Sequence, residues 1–252
     1  MNSENATAID RAVTKETRPR TGWSFFDKIY CISLENRLDR RTEAQQQFAK
    51  AGLTDAVKFF LTTKHPTDSE QGIYESHWHC MAEGLASGAE TICIFEDDVL
   101  LEGFSADKLD EIIRFLTTNT DWQILFLGCM VRKSEKTANR SVVKISYRSL
   151  THGYIVSRRF AQTMIDRYPW HRVAFDDFLK NLNSSQMFAA YPMFAFQSDA
   201  ASDNDPYLPL DRFRRLCGGL RNLQKQNEIF QRFKWQIVWG HVLILLGLYL
   251  WL

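Results

Sequence analysis

The chain has 252 residues, of which 24% are charged and 45% hydrophobic, and its formal net charge is +1. This composition is ordinary for a globular protein, and the length suits one large or two small domains. Between Asp211 and Lys234 there are seven basic and two acidic residues, which leaves 24 basic and 28 acidic residues in the rest. An acidic body with one basic segment argues against nucleic acid as the principal partner and for one local anionic contact.

In chain order, four regions are predicted. Residues 1–26 are interpreted as a mobile leader. Residues 1 to about 21 are polar and lack the apolar stretch of a signal peptide, which argues against secretion by that route. Residues 27–209 are predicted to form one α/β domain. A basic amphipathic segment covers residues 210–234, and residues 235–252 form a hydrophobic tail.

Within the domain, short apolar runs alternate with segments of helical period, a pattern typical of a mostly parallel sheet covered by helices. The predicted strands are Lys28–Leu34, Val57–Thr62, Thr91–Phe95, Gln123–Gly128, Val142–Tyr147, Gly153–Ser157 and Met187–Gln197. The predicted helices are Arg37–Ala51, Gly72–Ser87, Ala106–Thr118, Arg158–Tyr168 and Phe175–Asn181. The polar stretch from Arg132 to Arg140 is predicted to be a loop.

The five cysteines are odd in number and lie mostly in apolar runs, and no pair has metal-ligand spacing. Reduced thiols in the core fit this pattern better than a disulfide framework.

The most informative segment is the apolar run that ends in the carboxylates Glu96, Asp97 and Asp98. Three like charges at the end of a buried strand raise each other's pKa, and a divalent cation or a positive ligand group relieves that repulsion. Ligands of open α/β sheets bind beyond the carboxyl ends of the strands. If the backbone stays extended, Glu96 and Asp98 share one side as candidate metal ligands, and Asp97 faces away, toward a ribose or a structural partner. A solvated, charged turn is the alternative.

Basic residues follow the first predicted strand at Arg37, Arg40 and Arg41. Their side chains can pair with a phosphate or orient a base at this edge of the sheet. Ordinary surface arginines at a helix start are the alternative, although cations gain nothing from the helix dipole there.

Six segments of the chain together resemble glycosyltransferase family 25, the lipopolysaccharide biosynthesis glycosyltransferases related to the collagen galactosyltransferases. They lie in the family's order over roughly residues 27–203. The segments are Ile32–Arg41, Gly72–Trp78, Phe95–Val99, Gly153–Ser157, Phe175–Leu179 and Gln197–Ser202. The resemblance implies a GT-A-like, Rossmann-type nucleotide-sugar-binding α/β fold. It also implies that Glu96-Asp97-Asp98 is the acidic metal and nucleotide-sugar motif, with Glu in place of the more common first Asp.

The resemblance also indicates further site residues. Leu34, Arg37 and Arg40 are assigned to the nucleotide-sugar pocket together with Asp97, and the family's Ser-His pair falls on Ser76 and His77. The closing glutamine and serine of the pattern fall on Gln197 and Ser202. A lone histidine such as His77 is often a structural residue instead.

Transfer with inversion needs a base for the acceptor hydroxyl, and Asp176 is the candidate by its position in the family's aspartate motif. An aspartate before a short helix is also a good N-cap, so Asp176 is predicted to act as a base, a cap or both.

The tail from Trp235 to Leu252 carries no formal charge over eighteen residues. As a helix it is about 27 Å long, just under the roughly 30 Å hydrocarbon core of a bilayer. Its aromatic residues cluster near both ends, where amphipathic rings prefer the membrane interface. We expect a C-terminal hydrophobic helix that spans or lies on the membrane at its cytoplasmic face, in particular the bacterial inner membrane. A helix buried in the protein or in an oligomer is the alternative.

Together these features predict a glycosyltransferase that moves a hexose, in particular galactose, from a UDP-sugar to a saccharide hydroxyl of a lipid-linked acceptor in lipopolysaccharide, lipooligosaccharide or related glycoconjugate synthesis. The transfer is expected to invert the anomeric centre and to use Mn²⁺ or Mg²⁺ to neutralise the departing diphosphate. A membrane-tethered nucleotide-sugar-binding protein without turnover and a metal-dependent hydrolase are the alternatives. The scattered histidines argue against the hydrolase.

Overall fold

The structure, a computed structural model, describes residues 21–182, 184–198 and 218–251. After a short 3₁₀ helix at Gly22–Phe25, the strands are β1 Lys28–Leu34, β2 Val57–Thr62, β3 Thr91–Glu96, β4 Val99–Leu101, β5 Ile124–Phe126, β6 Met130–Lys136, β7 Val142–Ser149, β8 Gly153–Ser157, β9 Met187–Ala190 and β10 Ala195–Gln197. The helices are α1 Leu38–Lys50, α2 Ser69–Ala86, α3 Ala106–Thr118, α4 Arg158–Arg167, α5 Phe175–Asn181 and α6 Gly219–Trp251.

Eight of these strands form one sheet in the order β2-β1-β3-β8-β5-β9-β7-β6, and β4 pairs with β10 in a separate two-stranded sheet. The pairs β1–β2, β1–β3 and β5–β9 are parallel, and the other neighbouring pairs of the large sheet are antiparallel. The predicted α/β class is therefore confirmed. The parallel arrangement holds for the first three strands, whereas β8 and β7 reverse the direction of the chain beyond them.

Two apolar cores cover the faces of the sheet. Strand β3 supplies both, because alternate residues point to opposite faces: Ile92 and Ile94 enter one core, and Cys93 and Phe95 enter the other. Helices α2, α4 and α5 pack on the first face and α1 and α3 on the second. Burial on both faces explains why this strand is an unbroken apolar run.

Two local predictions were wrong. The stretch from Arg132 to Arg140 is mainly strand β6, because pairing with β7 supplies the partners for its polar backbone. The predicted strand Met187–Gln197 is two strands in different sheets. Between them the chain turns at a cis Tyr191–Pro192 peptide, and proline cannot donate to a strand ladder. Four cysteines lie buried and unbridged, whereas Cys217 falls outside the described residues.

The C-terminal helix α6 confirms the predicted apolar helix. Its backbone departs from helical geometry at Phe233 (φ −112°, ψ 15°), next to the predicted boundary between the basic segment and the tail. The amino-terminal half is docked on the domain by side-chain contacts to the backbone: Gln224 donates to Ala195 O, and Asn227 exchanges two hydrogen bonds with Val131. By length and composition α6 could cross a membrane, and its most apolar window is not buried against the rest of the described chain.

Candidate active site

A cleft of about 690 Å³ opens where β1 and β3 end, and all three carboxylates of the acidic triplet line it. Strand β3 stops at Glu96, and a turn at Asp97 and Asp98 leads into β4. The extended backbone assumed for this triplet is therefore wrong. The turn directs Asp97 and Asp98 to a common partner instead of opposite sides.

That partner is Arg40, which is buried at the start of α1. Its Nη1 lies 3.1 Å from Asp97 Oδ1 and 3.6 Å from Asp98 Oδ2. Gln197, in β10, donates from Nε2 to Asp98 Oδ2 at 3.0 Å. Residues from three distant parts of the chain therefore meet at the acidic turn, and one guanidinium compensates two carboxylates.

The compensation of Asp98 is incomplete. Its Oδ1 is buried and has no hydrogen-bond partner among the described residues. Burial and the charge of Glu96 raise the pKa of Asp98 to about 7, against the attraction of Arg40. An unpaired buried carboxylate oxygen is costly, and a cation or a hydrogen-bond donor on a ligand would relieve that cost.

Glu96 sits in the opposite environment. Thr151 donates to its Oε1 at 2.6 Å, and His77 Nε2 lies 3.4 Å from the same oxygen. Burial opposes ionisation of Glu96, but the hydrogen bond from His77, helped by Thr151, outweighs it and holds the pKa at about 2. The Tyr154 hydroxyl lies 2.8 Å from His77 Nδ1. Burial raises the pKa of Tyr154 far above its usual range, so the phenol stays protonated at this contact.

His77 is thus built into the fold. It is 1% exposed, and its ring stacks on Phe175 with the centroids 4.3 Å apart. The neighbouring Ser76 donates back to Gly72 O within α2 at 2.6 Å. Both line the cleft, where His77 orients Glu96.

Asp176 holds the loop between β7 and β8 in place. Its two oxygens accept hydrogen bonds from the Tyr147 hydroxyl and from Leu150 N, the latter at 3.0 Å. Leu150 has a φ of +81°, a left-handed conformation that is strained for leucine. The two hydrogen bonds to Asp176 form an aspartate clamp. Leu150, one of its two donors, directly precedes Thr151, the residue that donates to Glu96. Ala174, and not Asp176, is at the N-cap position of α5, and it makes no side-chain capping bond. The predicted cap is therefore wrong.

His152 was not singled out by the sequence. It is 1% exposed, lines the cleft and lies 2.9 Å through Nε2 from Ala195 O, an oxygen that also accepts from Gln224 of α6. The close packing depends on Gly128, because a Cβ there would lie 1.7 Å from Ala195 O. Burial lowers the pKa of His152, although Ala195 O and Glu96 favour its charged form.

Most of the sequence-predicted site residues line this cleft. They are Leu34, Arg40, Ser76, His77, Glu96, Asp97, Asp98, Asp176 and Gln197. Arg37 does not line the cleft and instead pairs with Asp39 at 2.9 Å. Ser202 lies outside the described residues.

Two functional features escaped the sequence analysis. Thr151 and His152 precede the glycine of strand β8, so their nearness to the motif at Gly153 was the available signal. Arg132 and Arg148 also line the cleft. Nothing in the sequence indicated this position, because one arginine lay in a predicted loop and the other beyond a predicted strand end.

Among the described residues, no group of three or more histidine, cysteine or acidic side chains is arranged to hold a metal ion. Asp98, whose buried Oδ1 has no partner among the described residues, and Glu96, whose side chain is 28% exposed, both line the cleft and provide hard oxygen donors. Such a pair fits Mn²⁺ or Mg²⁺ when substrate oxygens or water complete the coordination.

Residues 55–179 match the profile of "Glycosyltransferase family 25 (LPS biosynthesis protein)". This segment contains the acidic triplet, the histidine of α2 and the aspartate clamp. This part of the chain matches glycosyltransferase family 25. The resemblance drawn from the six sequence segments is thereby confirmed.

Relatives in the family differ in length and in function. Procollagen galactosyltransferase 1 of Danio rerio is 26% identical over 61% of this chain and 31% of its own length. The "Probable inactive glycosyltransferase 25 family member 3" of Rattus norvegicus is 26% identical over 71% of this chain and 40% of its own length. The lipooligosaccharide biosynthesis protein lic2B of Haemophilus influenzae is 29% identical over 51% of this chain and 59% of its own length. The chain thus spans about a third of the length of the animal relatives.

Solved structures with a similar fold include a glycosyltransferase involved in the glycosylation of the major capsid of PBCV-1. It is 9% identical, with a TM-score of 0.41 over 74% of this chain and 99% of that chain. This likeness concerns the fold alone.

Proposed function

We propose that this chain is a UDP-sugar-dependent hexosyltransferase that moves a hexose, in particular galactose, to a saccharide hydroxyl of a lipid-linked acceptor. The names of the family relatives, a galactosyltransferase and a lipooligosaccharide biosynthesis protein, support the sugar and the acceptor class. The single observation that carries the proposal is the acidic turn of a family 25 segment, open to a cleft large enough for a nucleotide sugar.

In the proposed arrangement the nucleotide lies at the end of β1, where Leu34 and Arg40 line the cleft. The diphosphate then reaches Glu96 and Asp98. Glu96 and Asp98 would hold a divalent cation through their carboxylate oxygens, and such a cation would supply positive charge to the departing diphosphate. Asp97 stays paired with Arg40, which fixes the turn that presents its two neighbours.

The acceptor hydroxyl attacks the anomeric carbon, a C–O bond forms, and the bond to UDP breaks with its electron pair leaving on the diphosphate. The hydroxyl proton must go to a base, and Asp176 is the candidate. Burial raises the pKa of Asp176, which favours proton uptake, against the hydrogen bonds from Tyr147 and Leu150. Each oxygen accepts one of these bonds and keeps a second lone pair that can take the proton.

The membrane tail supports a lipid-linked acceptor. The apolar half of α6 has its large side chains exposed on all sides, among them Leu243, Ile244 and Leu245. A helix that is apolar all round suits a lipid environment. We propose that this half anchors the enzyme at the cytoplasmic face of a bacterial inner membrane, where a lipid-linked acceptor is confined with it.

The test is UDP release by the purified protein from a panel of UDP-sugars, with and without Mn²⁺. We expect metal-dependent release from one sugar, with UDP-galactose the first candidate, and a loss of at least about a hundredfold in Asp98→Ala, because a metal ligand acts on the transition state. Asp121→Ala is the matched control, since Asp121 is 75% exposed and does not line the cleft.

Two results would contradict the proposal. Binding of UDP-sugars without release, even with saccharides added as acceptors, favours the second candidate, a nucleotide-sugar-binding protein without turnover. The probable inactive relative gives that candidate its support. If no UDP-sugar binds, the chain shares the fold of the family but not its nucleotide-sugar site.

A further inference from the structure

Two arginines stand on the wall of the cleft opposite the proposed nucleotide side. Arg132 belongs to β6 and Arg148 to β7, and both line the cleft. These strands end the sheet order on one side, whereas β1 lies near the other end. On the side of β1 and β3, the cleft is lined by acidic side chains that pair with Arg40. On the side of the ribbon formed by β6 and β7, it is lined by Arg132 and Arg148.

Both arginines occupy bulges in that ribbon. Val131 pairs with Tyr147, but the pair on one side is Met130 with Ser149, and the pair on the other is Lys133 with Ser146. The ladder thus skips Arg148 on one strand and Arg132 on the other. A β-bulge changes the direction of the side chain of the residue that is left out of the strand pairing, and bulges are frequent beside active sites. The two bulges lie on either side of the Val131–Tyr147 pair, and each places one arginine in the lining of the cleft.

Neither arginine is used within the described part of the chain. Both are exposed, and neither makes a hydrogen bond, ion pair or ring contact with another described residue. Other arginines have partners: Arg159 pairs with Asp121 and Arg221 with Glu102. A guanidinium with all donors available inside a concave site suits bidentate binding of a phosphate or carboxylate.

We propose that Arg132 and Arg148 bind a phosphate or carboxylate group of an anionic saccharide acceptor. This inference rests on the proposed function, which assigns the donor to the β1 side. The acceptor is favoured over the donor diphosphate because Arg148 follows Tyr147, the residue that donates to Asp176. The proposed base in α5 is therefore hydrogen-bonded to the strand that carries Arg148, so an acceptor with its hydroxyl at Asp176 places its other groups beside the bulges.

The test compares glucose 6-phosphate with glucose by calorimetric titration into the full-length protein saturated with UDP. We expect the wild type to bind the phosphate at least about tenfold more tightly than the neutral sugar, the ratio that one charge-assisted hydrogen bond supplies. The double variant Arg132→Gln/Arg148→Gln should lose this preference and keep its affinity for UDP within about twofold. Arg140→Gln is the matched control: Arg140 is 85% exposed in the connection between the same strands and does not line the cleft.

Two outcomes would overturn the inference. Equal binding of the two sugars by the wild type shows that no anion site exists for an acceptor. A tenfold weaker affinity for UDP in the double variant assigns the arginines to the donor diphosphate. Failure of the wild type to bind UDP contradicts the proposed function separately. In that case the two titrations without nucleotide decide the anion site by the same tenfold criterion.

Discussion

Asp98 is the least compensated carboxylate of the cleft. Its neighbour Glu96 is held ionised by His77 and Thr151, whereas Asp98 shares Arg40 with Asp97 and keeps one oxygen without a partner. Adjacent carboxylates with pKa values pushed apart are a common feature of sites that bind charged ligands. In the protein without ligand, Asp98 is therefore a source of instability.

This cost makes the stability of the protein depend on pH. The pKa of Asp98 is about 7 in the folded protein against an ordinary value of 3.8. Between these values the folded state binds more protons than the unfolded state, so stability falls as pH rises. Asp98→Asn removes this loss, and we expect the free energy of unfolding of the variant to exceed that of the wild type by about 1–3 kcal/mol at pH 8, and by much less at pH 5.

The measurement is urea unfolding at both pH values without added divalent cations. Glu96 does not disturb the comparison, because its pKa of about 2 lies below the whole range. The other titrating groups are common to both proteins. A difference between variant and wild type that is the same at pH 5 and pH 8 would show that Asp98 does not titrate between them.

At the scale of elements, the loop from Ser149 to His152 decides the geometry of the site. It connects β7 to β8, passes through the left-handed Leu150 and delivers Thr151 to Glu96. Asp176 holds this loop in place by accepting hydrogen bonds from the Tyr147 hydroxyl and from Leu150 N. Backbone strain of this kind persists only where surrounding contacts enforce it. The aspartate clamp thus keeps Thr151 in position to donate to Glu96.

Replacing the clamp should reveal its role. Asp176→Asn leaves Tyr147 or Leu150 N without an acceptor, and we expect the free energy of unfolding to fall by about 1–3 kcal/mol. Asp177→Asn is the matched control, because Asp177 is 49% exposed and pairs with Lys180 at the surface, so its effect should stay within about 0.5 kcal/mol. Chemical denaturation measures both values. Equal effects of the two variants would contradict the clamp.

At the scale of the whole molecule, α6 joins two parts of different chemistry. Its amino-terminal half contacts the domain through buried Gln224 and through Glu228, which accepts from Met193 N at 2.9 Å. Lys225 and Arg221 both pair with Glu102. Gln224 and His152 meet at Ala195 O, so the helix is connected to the cleft by two hydrogen bonds. The exposed apolar half begins just beyond the break at Phe233.

Truncation should separate the two halves. We expect removal of residues 235–252 to leave the domain folded, to abolish binding to phosphatidylglycerol vesicles, and to reduce transfer to lipid-linked acceptors about tenfold or more while transfer to soluble sugars is kept. Cosedimentation and transfer assays measure these effects. Truncation after Gly218 is the contrasting variant, since it also removes the contacts of Gln224 and Glu228 and should lower the melting temperature. Equal activity of the shorter deletion on both acceptor classes would contradict membrane anchoring.

The sequence by itself determined the features that depend on local pattern. Strand β3 is an unbroken apolar run because it is buried on both faces. Its position and the acidic residues at its end could therefore be predicted from the local sequence pattern. The bounds of β1, β2, β8, α3 and α5 were also predicted correctly, and the apolar tail followed from an unbroken stretch without charge. The motifs in order indicated the family, and most of the site residues predicted from them line the cleft.

Only the tertiary structure decided which side chains meet. Thr151, His152 and the two bulge arginines are separated from Glu96 by 36 to 56 positions, and no local pattern encodes such contacts. Strand β6 is polar, so its sequence resembled a loop, and it is a strand because β7 pairs with it. The unequal environments of Glu96 and Asp98 have the same origin, because adjacent acids in a sequence are distinguished only by the partners that the fold brings to each.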